Sequence, residues 1–468
     1  MRSEIGGHTL QGLHHHIESL VHGVQTQTKI PGIAVSVAVG GERLSINVGT
    51  LSVDSGYGLS ADAGFHIGCI TKFLLAIVVL ELARDNILSL SEPIGSYLPE
   101  LRDTPHGRAV TQRHLLSHTS GYRGTNIFDK DTQRLTWTRF AEYLHCAPQF
   151  FVPGTVFSYE HSEAAILGRL ILAITGEHAL GLIRRRIFQP LNITPSALGD
   201  VDGAAPSQVG QHYFDQRTGN YERLYWSDMR INEREIISDF WLPAFSDLTL
   251  SLNDLLTILE ASMRRAEHGD AANAVLSANS LIPMARSIVR VPSMVGGAIC
   301  ELTPRGFGLG TAQWQGGFNG NGGSSYGQCS GIRFDVSRGI AVAVVMNVSA
   351  PFLRDFLLAG VCQILGGEPA KPRQTQQFEF NFGDLVGTYL GCGKGRVCVS
   401  VGGRGLVCTI GSEDSDQQLH AELAIDDDGS AQLYCAQPQL SIGFFKEPGR
   451  QNFGLMMGLC AYKRVDIS

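Results

Sequence analysis

A thiol and an amine lie three residues apart at one point of this chain. Cys69 and Lys72 enclose Ile70 and Thr71, and a long apolar run, 73–83, follows them directly. Residues three apart at the start of a helix project from one face as neighbours. The positive helix end and the lysine cation favour a thiolate, and desolvation turns a lysine into a proton acceptor. We therefore interpret the pair as a nucleophile with its base. The alternative is a core cysteine beside a lysine that extends to water.

A second group of chemically capable side chains follows a Pro-Gly turn. Tyr159 and His161 come just after Pro153-Gly154 and before an apolar helical stretch, 162–175. Loop residues set at the start of a rigid helix are well placed for chemistry. Tyr159 can donate or relay a proton, and His161 can hydrogen-bond a substrate carbonyl. The alternative is a half-buried tyrosine and a histidine satisfied by its neighbours.

Glycines crowd together between residues 316 and 327. A glycine-rich strand edge allows close approach of the backbone and can present amide N–H groups to an oxyanion. A phosphate-binding loop would need a following Gly-Lys-Ser/Thr and a helix, and the sequence has neither there.

Two groups of histidines could bind a metal by their residue type, but their spacing argues against it. The consecutive His14, His15 and His16 point in different directions on a helix, so we expect them on the surface. His114 and His118 are four apart on one helical face without a third ligand at a supporting spacing. We expect packing and capping roles for them, and neither a metal nor a cofactor.

Composition restricts the class of protein. A chain of 468 residues predicts two or three domains. The net charge of −7 and the lack of a basic patch argue against nucleic acid, and the longest apolar run is too short to cross a bilayer. The first twenty residues contain no apolar signal core, and the ten cysteines show no C-x-x-C spacing. These features predict a cytoplasmic protein with reduced thiols and no membrane partner.

The order of strand and helix patterns predicts two domains. Residues 32–39 and 43–49 predict a hairpin, 331–335 and 340–347 two further strands, and 352–365 a closing helix. We place a first domain at 1–368, with an all-α lobe over roughly 85–290, and a linker at 369–380. Short alternating strands over 381–468 predict an antiparallel barrel or sandwich.

Taken together, the motifs resemble those of the serine β-lactamase and penicillin-binding-protein superfamily. Its S-x-x-K, L-L-S-H-T-S-G, P-G-x-x-F-x-Y-S-N and H-x-G motifs match, in order, Cys69–Lys72, Leu115–Gly121, Pro153–His161 and Asn321–Gly323, with a matching Gly327-Gln328. The likeness runs from about Ile30 to Val361. It is greatest to soluble esterases, D-aminopeptidase-like enzymes, and penicillin-binding-protein-type thioesterases and peptide cyclases with a lipocalin-like C-terminal barrel. It implies an α/β (α+β) fold, with a central antiparallel sheet flanked by helices and an all-α lobe, followed by that barrel.

The resemblance also implies roles for individual residues. Cys69 stands where the family has its nucleophilic serine, Lys72 is its base, and Tyr159 relays a proton to the leaving group. The backbone N–H groups of Cys69 and Ser324 form the oxyanion hole. The substrate-binding positions are His161, Asn321, Gly322 and Gly323. Histidine and asparagine are exchanged between positions 161 and 321 relative to the family pattern, so the two residues form a swapped pair if they face each other.

A thiol in place of the hydroxyl changes the expected substrate. A cysteine accepts an acyl group from a thioester almost isoenergetically, whereas attack on an amide is harder because the amine leaves poorly. We therefore expect a small-molecule or peptidyl acyl donor activated as an ester or as a CoA- or carrier-bound thioester, with release to water, an amine or a hydroxyl. The alternatives are a pseudoenzyme that acts as a binding module, and a peptidase, esterase or β-lactam-reactive protein. A further alternative is an engineered replacement of serine by cysteine that traps an acyl group.

Overall fold

The computed structural model describes most of the chain. The described residues are 9–122, 137–194, 209–224, 248–263, 278–291, 304–325, 327–366, 385–391, 396–402, 405–412, 415–425, 431–435, 442–446, 453–457 and 460–465. The predicted linker, 369–380, lies outside them.

The α-helices of the described residues are α1 His14–Thr28, α2 Ile70–Arg84, α3 Pro105–Ala109, α4 Gln112–Leu116, α5 Trp137–Cys146, α6 His161–Thr175, α7 Ala179–Ile183, α8 Leu252–Met263, α9 Ala278–Ala285 and α10 Pro351–Ile364.

The strands of the first domain are β1 Gly32–Val39, β2 Glu42–Gly49, β3 Phe65–His66, β4 Gln211–Asp215, β5 Asn220–Leu224, β6 Thr249–Leu250, β7 Val289–Arg290, β8 Gly306–Phe307, β9 Ala312–Gln313, β10 Asn319–Gly320, β11 Gly322–Ser325, β12 Gln328–Asp335 and β13 Ile340–Met346. Those that follow are β14 Gly387–Gly391, β15 Arg396–Gly402, β16 Gly405–Ser412, β17 Ser415–Ile425, β18 Ala431–Cys435, β19 Ile442–Lys446, β20 Phe453–Met457 and β21 Cys460–Val465.

One antiparallel sheet organises the first domain. Its strand order among the described residues is β2-β1-β13-β12-β10-β9-β8-β7, and β11 is attached to β12. The central strands β1 and β13 pair from Ile33 opposite Met346 to Val39 opposite Ile340. The predicted hairpin and the two later strands are therefore confirmed, and they lie next to each other although roughly 300 residues separate them in the chain.

Helices cover both faces of this sheet, which explains why its central strands are apolar throughout. Successive side chains of a strand point to opposite faces. Accordingly, Val342 and Val344 pack in one cluster with α1 and α10, whereas Ala341 and Ala343 pack in the other with α2 and α8. The observed fold is thus the predicted mixed one, with an antiparallel sheet between helical layers.

Helix α2 runs through the larger of the two clusters. Its apolar side chains are buried almost all round, as the sequence pattern predicts, and Glu81 and Lys72 are the buried residues among them that can carry charge. The core therefore surrounds the segment that carries the thiol and the amine.

The lobe predicted to be all-α needs a correction. Its described part is mainly helical, but β4 and β5 form a hairpin from Gln211 opposite Leu224 to Asp215 opposite Asn220. The turn between these strands contains Gly219 at φ 70°. A glycine in this conformation favours a tight turn, so this segment forms strands within a helical region.

The C-terminal strands form a second antiparallel sheet, in the order β18-β17-β16-β15-β14-β21-β20-β19. The predicted antiparallel character is confirmed. No pairing joins the edge strands β18 and β19 within the described residues, so the closed lipocalin-like barrel stays a prediction. Lys463 of β21 donates a hydrogen bond to the backbone O of Phe150 at 2.9 Å, which connects this sheet to the loop before Tyr159.

Two further sequence predictions concern thiols and membranes. The cysteines whose state the structure describes are free, namely Cys69, Cys146, Cys329, Cys362 and Cys398. Within the described residues no single helix has the length and apolarity to span a bilayer; the segments His161–Thr175 and Ala179–Leu191 reach those criteria only as a pair, which is bent by 79°.

The edge strand β11 lies directly against the turn that begins α2. A Cβ atom placed on Gly323 would sit 2.0 Å from the backbone O of Ile67, and one placed on Gly68 would sit 2.9 Å from Ser324 N. Gly68 also has φ 51°, a conformation that glycine adopts at little cost. Glycine at these positions therefore lets two backbone segments approach more closely than any other residue would.

We predict that Gly323→Ala lowers the melting temperature, because the added methyl group must push β11 away from Ile67 at a cost of about 1–3 kcal/mol. Gly23→Ala is the matched control. Gly23 is exposed within α1 and a Cβ there meets no atom within 4 Å, so this change should stabilise by about 1 kcal/mol. Calorimetry of both variants tests the contact; equal melting temperatures would contradict it.

Candidate active site

The thiol and the amine meet at the N-terminus of α2. The Nζ atom of Lys72 lies 3.3 Å from the Sγ atom of Cys69. Cys69 is the N-cap residue and is partly exposed, whereas Lys72, one turn into the helix, is buried with 6% of its surface accessible. The predicted adjacency is confirmed, and Cys69 is the more exposed residue of the pair.

The surroundings shift the pKa values of both groups downward. Burial by itself would raise the pKa of the Cys69 thiol, but the Lys72 cation, hydrogen bonds from Tyr159 and Lys72, and the Arg354 cation together lower it. Burial lowers the pKa of Lys72, and the neighbouring Cys69 opposes that shift only in part. Lys72 in its unprotonated form can accept the thiol proton, and the ammonium so formed stabilises the thiolate beside it.

Tyr159 also contacts the sulfur. Its hydroxyl hydrogen-bonds Cys69, and its ring centroid lies 5.3 Å from Lys72 Nζ. The residue is half-buried just before α6. A phenol in this position can pass a proton towards an atom bound to the sulfur.

His161 contacts the lysine. Its Nδ1 atom lies 3.1 Å from Lys72 Nζ, at the first residue of α6. The sequence predicts a substrate-binding role for this side chain, and the structure adds a second partner for the amine. With Cys69 on one side and His161 on the other, the direction of the amine lone pair is restricted.

A buried acid–base pair lies beneath these residues. Glu163 binds His118 Nδ1 through Oε2 and Ser120 through Oε1, and all three are buried. Burial lowers the pKa of His118 to about 3, with a further contribution from the Lys72 cation, and burial raises the pKa of Glu163 well above its ordinary value. Both groups therefore favour their neutral forms, in which the carboxyl proton is donated to the imidazole.

This pair also supports Tyr159. The rings of His118 and Tyr159 have centroids 4.5 Å apart, and the Glu160 N–H approaches His118 Nδ1 at 3.4 Å. The packing role expected for His118 is confirmed. The capping role expected for His114 is confirmed as well, because Thr111 and His114 form a reciprocal capping box at the start of α4.

The strand β11 has one amide N–H that faces away from β12. Ile332 N–H donates to Asn321 O at 2.9 Å, which marks a hydrogen-bonded pair at the start of the β11–β12 ladder. Bonded and unbonded pairs alternate along an antiparallel ladder, so Gly323 lies in a bonded pair and Ser324 in an unbonded one. The Ser324 N–H therefore points away from β12, to the side on which Gly68 approaches the strand.

Side chains from β12 hold the turn before α2 against this edge. Gln328 accepts a hydrogen bond from His66 N at 3.0 Å, and the Ser330 hydroxyl donates to Ile67 O at 2.9 Å. These hydrogen bonds hold the segment that carries the Cys69 amide close to the strand that carries the Ser324 amide.

Asn321 and Gly322 lie further along the same segment. The Asn321 side-chain amide donates to Gly310 O at 3.1 Å, and its Oδ1 atom is buried without a hydrogen-bond partner among the described residues. Gly322 backs onto Arg354, whose guanidinium carbon would lie 2.5 Å from a Cβ at that position. The substrate-binding roles of Asn321, Gly322 and Gly323, and the proposed exchange with His161, stay predictions.

Sequence reasoning missed Glu163, Ser120 and Arg354. Glu163 follows Tyr159 by four residues and so shares a helix start with it, which is the signal that could have drawn attention to it. Arg354 is a buried cation within the largely apolar helix α10. Within the described residues no group of histidine, cysteine and carboxylate side chains has the arrangement of a metal site.

Comparisons with known proteins identify the family of this chain. The family model described as "Beta-lactamase" matches residues 17–359. Penicillin-binding protein 4 of Amycolatopsis lactamdurans is 31% identical over 185 residues, which are 39% of this chain and 49% of the relative. Lovastatin esterase of Penicillium rubens is 28% identical over 161 residues, 29% of this chain and 39% of the relative. The chain thus spans about half or less of these curated relatives.

A solved structure extends the likeness to the whole fold. The crystal structure of SurE superposes with a TM-score of 0.74 at 22% identity and covers 97% of this chain and 99% of its own. The chain belongs to the β-lactamase family, whose members include penicillin-binding proteins, β-lactamases and esterases.

We predict that iodoacetamide alkylates Cys69 at a pH below the usual thiol range of about 8.5, because the neighbouring cations stabilise the thiolate. In Lys72→Met the largest stabilising charge is gone and burial prevails, so the midpoint of the rate–pH profile should rise. Peptide mass spectrometry measures both, with the exposed Cys146 as reference thiol in the same chain. A Cys69 midpoint that does not move in Lys72→Met would contradict this.

Proposed function

We propose that this protein is an acyl-transfer enzyme that forms a thioester on Cys69 and passes the acyl group to water, an amine or a hydroxyl. The observation that carries the proposal is the 3.3 Å contact between Cys69 Sγ and Lys72 Nζ at the partly exposed start of a buried helix. Membership of a family that contains hydrolases supports the reaction class.

The first step is formation of the acyl-enzyme. Lys72 takes the thiol proton, and the sulfur attacks the acyl carbonyl carbon, whose oxygen becomes an oxyanion. The amide N–H groups of Cys69 and Ser324 are the proposed donors to that oxygen. The carbon–leaving-group bond then breaks, and the leaving group takes the proton from Lys72 through Tyr159.

The second step releases the product. Water, an amine or a hydroxyl attacks the thioester carbonyl and gives its proton to Lys72, and the carbon–sulfur bond breaks to give the thiolate. That proton then returns to the sulfur, so a full turnover restores the starting protonation state. The contact of His161 with Lys72 keeps the amine directed at the sulfur during both steps.

The thiol favours activated donors. A thiolate leaves about as readily as it attacks, so exchange with a CoA or carrier-protein thioester is nearly balanced, and an ester is more reactive than an amide. A cytoplasmic thioester pool would suit such an enzyme. Hydrolysis, transfer and peptide cyclisation share the acyl-enzyme and differ only in the acceptor.

We predict that N-acetylcysteamine thioesters acylate the wild-type protein faster than peptide amides do. Intact-mass measurement should show one added acyl group, mapped to Cys69 and removed by hydroxylamine. If the folded protein takes up no acyl group from any thioester, ester or amide, a binding module is the better interpretation; an adduct formed with penicillin alone would indicate a β-lactam-reactive protein.

We predict that Cys69→Ala abolishes turnover and that Cys69→Ser retains part of it, because Lys72 can still deprotonate a hydroxyl. Lys72→Ala should slow acylation by about 10²–10⁴-fold, the usual contribution of a general base. Cys146→Ala serves as the control and should leave the rate unchanged, since that thiol is exposed on α5. Full activity of Lys72→Ala would show that Lys72 is not the base.

A further inference from the structure

A buried arginine contacts the peptide group that carries the Ser324 N–H. Arg354 lies in α10, and its Nη1 atom donates to Gly323 O at 3.0 Å. The carbonyl of Gly323 and the amide of Ser324 belong to one peptide unit. A cation that binds the oxygen of a peptide group draws electron density from its nitrogen, so the N–H becomes a stronger donor.

The pairing of β11 with β12 places the carbonyl oxygen and the N–H of this peptide group on opposite sides of β11. Gly323 lies in a hydrogen-bonded pair with Ser330, so its carbonyl points towards β12 and α10. Ser324 lies in the next, unbonded pair, so its N–H points away from β12, to the side on which Gly68 lies. The guanidinium therefore binds the carbonyl end of this peptide group, opposite to its N–H.

Other charges hold the guanidinium in place. Asp355 accepts from Arg354 Nη2 at 2.7 Å and from Arg333 Nη2 at 2.9 Å, and the Arg333 guanidinium stacks 3.5 Å from the Trp314 ring centroid. The three charged side chains are 3–14% exposed. Two cations share one carboxylate, so this buried set carries an excess positive charge behind β11.

The close packing of Arg354 against glycines of β11 and β12 supports the same interpretation. A Cβ on Gly322 would lie 2.5 Å from the Arg354 guanidinium carbon, and one on Gly331 would lie 2.9 Å from Arg354 Cδ. Two glycines on adjacent strands thus allow the guanidinium to reach the Gly323 carbonyl.

We propose that Arg354 is a positioning residue that strengthens the Ser324 N–H as an oxyanion donor by binding the carbonyl oxygen of the same peptide group. This inference rests on the proposed acyl transfer at Cys69. It assigns to Arg354 an effect on the step in which a carbonyl oxygen becomes charged.

Two reactions of the same sulfur separate this effect from a general loss of reactivity at Cys69. Acylation by S-acetyl-N-acetylcysteamine creates an oxyanion, whereas alkylation by iodoacetamide displaces iodide at a saturated carbon and creates none. The ratio of the two rate constants at Cys69 therefore reports on stabilisation of the oxyanion. A change in thiolate content or in access to the sulfur alters both rates.

We predict that Arg354→Gln lowers the acylation-to-alkylation ratio about fivefold or more, part of the 10²–10³-fold effect of removing an oxyanion donor altogether. Arg354→Lys, which keeps a cation but loses the fixed guanidinium geometry, should lower it about threefold. Arg338→Gln is the matched control: it removes an arginine that pairs with Asp335, outside the charged set behind β11, so the ratio should stay within about a factor of two of wild type.

The outcomes distinguish this inference from the proposed function. If wild-type Cys69 takes up no acetyl group, the proposed function fails. If the wild type is acetylated but Arg354→Gln changes both rates equally, the role of Arg354 is overturned and the acyl transfer stands. Should Arg354→Gln fail to fold, Arg354→Lys decides, and an unchanged ratio in that variant overturns the role.

Discussion

Lys72 is an amine held in the apolar core, and the architecture around the site follows from that constraint. An isolated buried ammonium is costly, so it must either gain partners or give up its proton. Cys69 and His161 supply contacts at 3.3 and 3.1 Å, and the neutral His118–Glu163 pair lies beneath without adding a second full charge. The same burial that would destabilise a structural lysine lowers its pKa and suits it to be a base.

The site combines three distant parts of the chain, and each is held by backbone contacts. Helix α2 and its N-cap supply the amine and the thiol, the start of α6 supplies Tyr159 and His161, and β11 supplies an amide edge. Glycines let β11 approach the turn before α2, and hydrogen bonds from the β12 side chains secure it there. The reacting groups are therefore positioned by contacts between segments that lie far apart in the sequence.

Local pattern is sufficient to predict much of this arrangement. The apolar run 32–39 predicts a strand and forms one with the same bounds, and the three-residue spacing of Cys69 and Lys72 puts them in contact. The contacts of Glu163 with His118 and of Arg354 with Gly323 depend on tertiary approach across 45 and 31 residues, which no local period encodes. The β4–β5 hairpin escapes prediction because its short strands lie within an irregular, partly aromatic stretch.

The most direct test of the proposed chemistry is an NMR titration of the full chain with ¹³Cβ-labelled cysteine and ¹⁵Nζ-labelled lysine. We expect Cys69 to ionise below the usual thiol pKa of about 8.5 and Lys72 to titrate below the usual lysine pKa of about 10.4, with each resonance responding to the other group. Ordinary or raised pKa values for both groups, without mutual response, would contradict the assignment of Lys72 as the base of Cys69.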